Sequence, residues 1–176
     1  SFMCGIAGVY GMGDKWDAAQ TVQRMTDRIA HRGPDDQGTY ADDHVALGHR
    51  RLSIIDLSPA GHQPMKSSDG GFEIVYNGEI YNYLEIKEEI THYTFHTKTD
   101  TEVILAAYQK WGKDCVKQLN GMFAFAIWDK NKKELFIARD RLGIKPLYYY
   151  RTNNRVLFAS EIRSLLVSGL VPKKIN

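Results

Sequence analysis

The sequence predicts an α+β domain in which helices flank mainly antiparallel sheets. The run Met122-Phe-Ala-Phe-Ala-Ile-Trp128 is apolar at every position, so as a strand it needs cover on both faces, which a sheet stacked on another layer provides. Segments 134–139, 147–151 and 155–159 follow as further strands, and the turns at 129–132 and 152–154 are short and polar, as hairpin links are. Two earlier stretches place apolar residues at helical spacing. The 176 residues, 43% of them apolar, suffice for one core without covalent staples.

Each element has its own justification. Cys4-Gly-Ile-Ala-Gly-Val-Tyr-Gly alternates small and apolar residues and reads as a buried strand, with glycines where another backbone comes close. From Asp14 or Lys15 to about His31, the residues Trp16, Ala19, Val22, Met25 and Ile29 recur at helical spacing, predicting a helix that ends before Gly33-Pro34. Residues 31–36 form a loop by composition. Strands follow around 38–41 and 45–55, and Gly70-Gly71 introduces another at 72–76. Asn77-Gly78 breaks that strand. A helix around 83–90 and an alternating strand over 91–97 come next. Thr99-Asp-Thr-Glu102 has capping-box spacing, so a helix runs from about Thr101 to Trp111 with Val103, Ile104, Ala107 and Trp111 on its apolar face. Ser160 caps a last short helix over 161–167, closed by Gly169.

Composition excludes several function classes. A net charge of +2 supplies no large field for nucleic acid or an acidic membrane. No apolar run approaches the roughly 18 residues of a spanning helix. Two cysteines make no disulfide framework, which suits a reducing cytoplasm. The expectation is a cytoplasmic single domain. Ser1-Phe2 reads as the scar of a removed tag and Met3 as an initiator methionine.

Three groups of residues could carry chemistry. Cys4 is either a small buried hydrophobe or, once the preceding methionine is removed, a terminal residue bearing thiol and α-amine together. That amine, with a pKa of about 7.7–8.0, would serve as base for its own nucleophile. Asn77-Gly78-Glu79 is either a hairpin turn or an oxyanion cradle, with a side-chain amide beside an unobstructed backbone N–H. Arg51 and Asp100 form the third group. Arg50 and Arg51 point to opposite faces of a strand, and Asp100 sits in the first turn of a helix. Together a guanidinium and a carboxylate suit the two charged ends of a free amino acid. His92 and His96 have helical metal spacing in a segment that alternates like a strand, and no metal site is predicted. Ser67-Ser68-Asp69-Gly70-Gly71 lacks a P-loop lysine and reads as a turn; Lys130–Lys133 reads as a solvated hairpin tip.

These pieces resemble one family. Cys-Gly-Ile-Ala-Gly from Cys4, His-Arg-Gly-Pro-Asp from His31, Arg-Leu-Ser-Ile-Ile-Asp from Arg51 and Gly-His-Gln-Pro-Met from Gly61 match it. So do Tyr-Asn-Gly-Glu-Ile-Tyr-Asn from Tyr76, Thr-Asp-Thr-Glu-Val-Ile-Leu from Thr99 and Leu-Asn-Gly-Met-Phe-Ala-Phe-Ala from Leu119. Arg-Asp-Arg-Leu-Gly-Ile-Lys-Pro-Leu-Tyr-Tyr from Arg139 and Ala-Ser-Glu-Ile from Ala159 complete the set. In that order they resemble the class-II glutamine amidotransferase domain of glutamine-hydrolysing asparagine synthetases, which is of the N-terminal-nucleophile hydrolase type.

The resemblance implies a four-layer αββα sandwich of two antiparallel sheets. It also implies that Cys4 is the nucleophile with its α-amine as base, and that the Asn77 side chain and Gly78 N–H hold the oxyanion. Arg51 would grip the α-carboxylate of L-glutamine, Glu79 and Asp100 its α-ammonium, with the backbone of Leu52, Ser53, Ile54 and Ile55 lining the pocket. The implied reaction is hydrolysis of glutamine to glutamate and ammonia, the latter feeding ATP-dependent amidation of aspartate in a C-terminal synthetase domain. Within this domain no cofactor and no metal are implied; ATP and Mg belong to the synthetase domain. Nucleic acid and membrane are not expected partners, and a homodimer stays open.

Two departures shape the expectations. No Ser-Gly-Gly-x-Asp-Ser loop occurs, so the domain is expected to span residues 4–170, with 171–176 opening a linker to a synthetase domain that this sequence lacks. Residues 1–3 cap Cys4, so this polypeptide is expected to have little glutaminase activity. Competing readings are a free-standing amidohydrolase, an amidotransferase for another carboxylate acceptor, and a catalytically retired docking scaffold.

Overall fold

The computed structural model describes residues 4–11, 17–53 and 58–172. In chain order the elements begin with β1 (Gly5–Gly11), α1 (Ala18–Asp27), β2 (Asp36–Ala41), β3 (Val45–Arg51), β4 (Met65–Lys66) and β5 (Phe72–Ile80). They continue with α2 (Tyr83–Glu89), α3 (Asp100–Trp111), β6 (Gly121–Asp129), β7 (Glu134–Arg139), β8 (Tyr148–Arg151), β9 (Arg155–Ala159) and α4 (Ile162–Val167). One sheet has the order β2-β3-β1-β9-β8 and the other β4-β5-β6-β7, with antiparallel neighbours throughout.

Three apolar layers hold these elements as α-β-β-α. The side-chain period of a strand is two, so each strand feeds two layers. In β6, Phe123, Phe125 and Ile127 face α3, where they meet Ile104, Leu105 and Ala107. The alternate residues Ala124, Ala126 and Trp128 face the other sheet and meet Ile6, Leu47 and Phe158. On that sheet's far side, Ala7, Val9 and Leu157 pack with Val22 and Met25 of α1 and Leu165 of α4. The uniformly apolar run is therefore covered on both faces, as its composition requires.

Several expectations are corrected. α1 begins at Ala18, with Asp17 as its cap accepting from Gln20 N at 3.0 Å. Val22, Met25 and Ile29 are buried but Ala19 is exposed; Trp16 lies outside the described residues. The strand from Val45 stops at Arg51. β5 does not break at Asn77-Gly78: both residues pair with β6, Asn77 opposite Ala124 and Gly78 opposite Phe123. Glycine is needed at 78 for a different reason than a turn, since a Cβ there would fall 2.1 Å from Met122 O at a φ of +154°. Residues 91–97 alternate in burial but join no sheet, because the Glu102 carboxylate accepts from His96 N at 3.0 Å and Thr97 N at 2.7 Å. Thr99 does cap α3, accepting from Glu102 N at 3.3 Å. Ser160 accepts from Ile6 N at 2.9 Å instead of capping α4. Lys130 is not merely solvated: its Nζ sits 3.0 Å from Glu73 Oε1 and over the Tyr40 ring. Among the described residues no helix is long and apolar enough to cross a membrane.

Candidate active site

Cys4 immediately precedes β1, which places it where the two sheets meet. Its carbonyl accepts from Arg32 Nε at 3.1 Å, and Arg32 is itself held by Glu161 at 3.2 Å. The Leu52 amide donates to Cys4 Sγ at 3.4 Å. Burial pushes the thiol above its ordinary range; the Leu52 N–H and the cations Arg51, Lys145 and Arg32 pull the other way.

The thiol opens onto a cavity of about 910 Å³, within the size range of small-molecule sites. Arg51, Leu52, Gly78, Glu79 and Asp100 line the same cavity. Arg51 ends β3 and turns from its neighbour Arg50, which pairs with Asp27 on α1 at 2.7 Å. Its guanidinium donates to Ser58 O at 2.6 Å and lies over Gly61, where a Cβ would be 2.3 Å from Nη2. Asp100, the first residue of α3, accepts from the Tyr76 hydroxyl at 2.8 Å and from Ile80 N at 3.1 Å. Burial raises its carboxyl pKa against these two donors. Glu79 stands exposed at the rim.

Asn77 shares the face of β5 that carries Val75 toward the first sheet. It is 3% exposed and is not among the residues that line the cavity, and its Nδ2 has no hydrogen-bond partner among the described residues. An amide donor left unspent in the interior costs about 1–3 kcal/mol. Ser53 is not brought into this cavity: its N–H donates to Asp35 at 2.7 Å, and it lines a smaller adjoining one of about 320 Å³. Ile54 and Ile55 lie outside the described residues.

Sequence reasoning passed over three residues of the site. Gln63 Oε1 accepts from Tyr76 N at 2.6 Å, and His49 Nε2 donates to Tyr76 O at 3.1 Å. The short β4 leaves this stretch of β5 without a neighbouring strand, and the two side chains stand in for one. Burial depresses the His49 pKa to about 4, so the ring is neutral, the form in which one nitrogen donates. Lys145 reaches the cavity from the loop before β8 while only 8% exposed. Gln63 and Lys145 stand inside matching motifs, which was the available signal; no spacing pattern distinguished them. Among the described residues no three His, Cys, Asp or Glu side chains gather as a metal site. Another cavity, of about 730 Å³ between β7 and β8, is walled by Leu135, Ile137 and Leu147 and carries no thiol.

Comparison with known proteins gives the family. The family described as glutamine amidotransferase domain matches residues 3–176. Asparagine synthetase [glutamine-hydrolyzing] 1 of Bacillus subtilis (strain 168) is 47% identical over 94% of this chain and 27% of its own length. Asparagine synthetase [glutamine-hydrolyzing] 3 of the same organism is 43% identical over 99% of this chain and 29% of its own. The chain thus spans under a third of the length of these relatives. A solved glutamine phosphoribosylpyrophosphate amidotransferase from B. subtilis superimposes with a TM-score of 0.78 at 22% identity, over 94% of this chain and 43% of that one, a likeness of fold. The chain belongs to the glutamine amidotransferase domain family and is homologous to the N-terminal part of glutamine-hydrolysing asparagine synthetases.

Proposed function

We propose that this domain is a glutaminase that hydrolyses L-glutamine to glutamate and ammonia with Cys4 as nucleophile. The observation that carries this reading is the cavity where the Cys4 thiol, Arg51, Gly78 and Asp100 meet; Asn77 precedes Gly78 in β5 and holds a buried amide with no hydrogen-bond partner among the described residues. Arg51 grips the α-carboxylate, and Glu79 and Asp100 receive the α-ammonium, which leaves the side-chain amide directed at Cys4. The sulfur attacks the amide carbon, and the C=O electron pair moves onto oxygen. Asn77 Nδ2 and the Gly78 N–H hold that oxyanion. The α-amine of Cys4 takes the thiol proton and returns it to the departing nitrogen, so ammonia leaves and a γ-glutamyl thioester remains. Water then cleaves the thioester to glutamate and restores the thiol. Leu52 lines this pocket.

This scheme needs a free α-amine on Cys4, and in the sequence Ser1-Phe2-Met3 precede it. An amide nitrogen is not basic. A chain that begins at Cys4 is therefore expected to release ammonia from glutamine at least about 10²-fold faster than the chain as written, the share general-base help typically supplies. Equal rates in the two would overturn the base assignment, and a Cys4→Ser change in the shorter chain should abolish release. In the whole protein we place the domain in the cytoplasm, handing ammonia to a synthetase domain that amidates aspartate with Mg-ATP. That the relatives are about three times longer than this chain and are named asparagine synthetases supports a further synthetase domain.

A further inference from the structure

Lys145 has no role in the chemistry described so far, yet it is buried in the wall of the cavity onto which Cys4 opens. A lysine almost never lies this deep without a counter-charge, because its ammonium loses hydration on burial. At 8% exposure, and among the described residues, Lys145 has no carboxylate and no acceptor within bonding distance of Nζ. Its backbone is fixed, the N–H donating to Asp140 Oδ2 at 3.4 Å. The other cations near Cys4 differ. Arg32 is paired with Glu161, Arg51 donates to Ser58 O, and Lys98 is exposed.

We propose that Lys145 is the electrostatic partner of the Cys4 sulfur, its ammonium favouring the thiolate over the thiol. The inference rests on Cys4 being the nucleophile and deepens that reading. Besides Cys4, Arg51 and Lys145, the ionisable groups in the cavity wall are His49, Tyr76, Glu79, Tyr81, Tyr83, Lys98 and Asp100. The acids Glu79 and Asp100 line the same cavity and, among the described residues, make no ion pair with Lys145. His49 is neutral, and Tyr76, whose pKa burial pushes well up, stays protonated. Against the dominant effect of burial, which raises the thiol pKa, Lys145 acts in the lowering direction with the Leu52 amide and Arg51. The proton lost from sulfur passes to the α-amine where that is free, and to solvent base otherwise. Once sulfur is ionised, the lysine gains a counter-charge that no other described residue supplies by direct contact.

Alkylation by iodoacetamide tests this without requiring turnover, because only the thiolate reacts. The Cys4 peptide is followed by mass spectrometry across a pH series, apart from Cys115, whose thiol burial pushes up to about 12. In K145Q the Cys4 rate at pH 7 should fall by about threefold or more and the midpoint move to higher pH, with K145R restoring both. K145M carries the same comparison if K145Q lowers the melting temperature below the assay range. An unchanged midpoint in the charge-free variant overturns the proposal, as does a K145R that behaves like K145Q. Ammonia release by the chain begun at Cys4 is scored separately. If release is absent while the alkylation shift is present, the glutaminase reading fails and the role of Lys145 stands.

Discussion

Asn77 carries a buried amide at a cost to stability, and the proposed oxyanion role accounts for that cost. Its buried Nδ2 has no partner, so the native state bears a desolvation cost that no hydrogen bond offsets. Asn77→Ala removes that orphan. In a chain that begins at Cys4, we expect kcat for glutamine hydrolysis to fall by about 10²–10³ while the denaturation midpoint holds or rises. A packing role would give the reverse pair of results, a loss of stability with little loss of rate. The Cys4 sulfur reports the same tension, since burial pushes its pKa up while the Leu52 amide and three cations oppose that push. The candidate residues that the sequence exposed were those whose chemistry is unusual in itself: a cysteine near the start, an Asn-Gly-Glu run, an arginine next to another arginine. Gln63, His49 and Lys145 were illegible because their importance comes from what they touch.

At the scale of elements, β5 and the segment before α3 show where local rules lose to tertiary ones. Asn-Gly favours a two-residue turn, but here β6 offers both residues a full ladder of partners, and the close approach of Met122 O admits only glycine at 78. Gly78→Ala is expected to destabilise the domain by about 1–3 kcal/mol in urea denaturation, since the new methyl meets backbone rather than a yielding side chain. The Thr99–Glu102 pattern correctly marked a helix start, yet only half of the capping box forms. Glu102 reaches past its own helix to the backbone of residues 96 and 97. That same contact explains why an alternating stretch is extended without belonging to a sheet. Helix existence was readable from apolar spacing, as Val22, Met25 and Ile29 show. Helix ends and sheet membership were not, because each depends on groups distant in sequence.

At the scale of the whole molecule, His49 ties the two sheets together, reaching from β3 to the Tyr76 carbonyl on β5. Its folded pKa of about 4 lies below the ordinary 6.5 of an unfolded chain, so the unfolded state binds more protons between those values. The stability held by neutral His49 is therefore complete above about pH 6.5 and declines as pH falls toward 4, by on the order of 3 kcal/mol over that interval. His49→Gln should flatten this part of the stability–pH curve measured by urea titration; an unaltered curve would show that the histidine is not its source. The stacking itself was readable in advance, because a strand apolar on both faces leaves no solvent-facing side and Met122–Trp128 has none. What the chain alone determined was the presence of two covered layers, the helical faces and a cysteine near its start as the candidate nucleophile. Only the tertiary structure decided that the last four strands divide between the two sheets and that β5 runs straight through Asn77-Gly78. It likewise decided that Cys4, Arg51, Gly78 and Asp100 share one cavity. The physical reason is that apolar periodicity is a property of neighbouring residues, whereas pairing and site assembly are contacts between segments up to 154 positions apart, such as Ile6 N to the Ser160 hydroxyl.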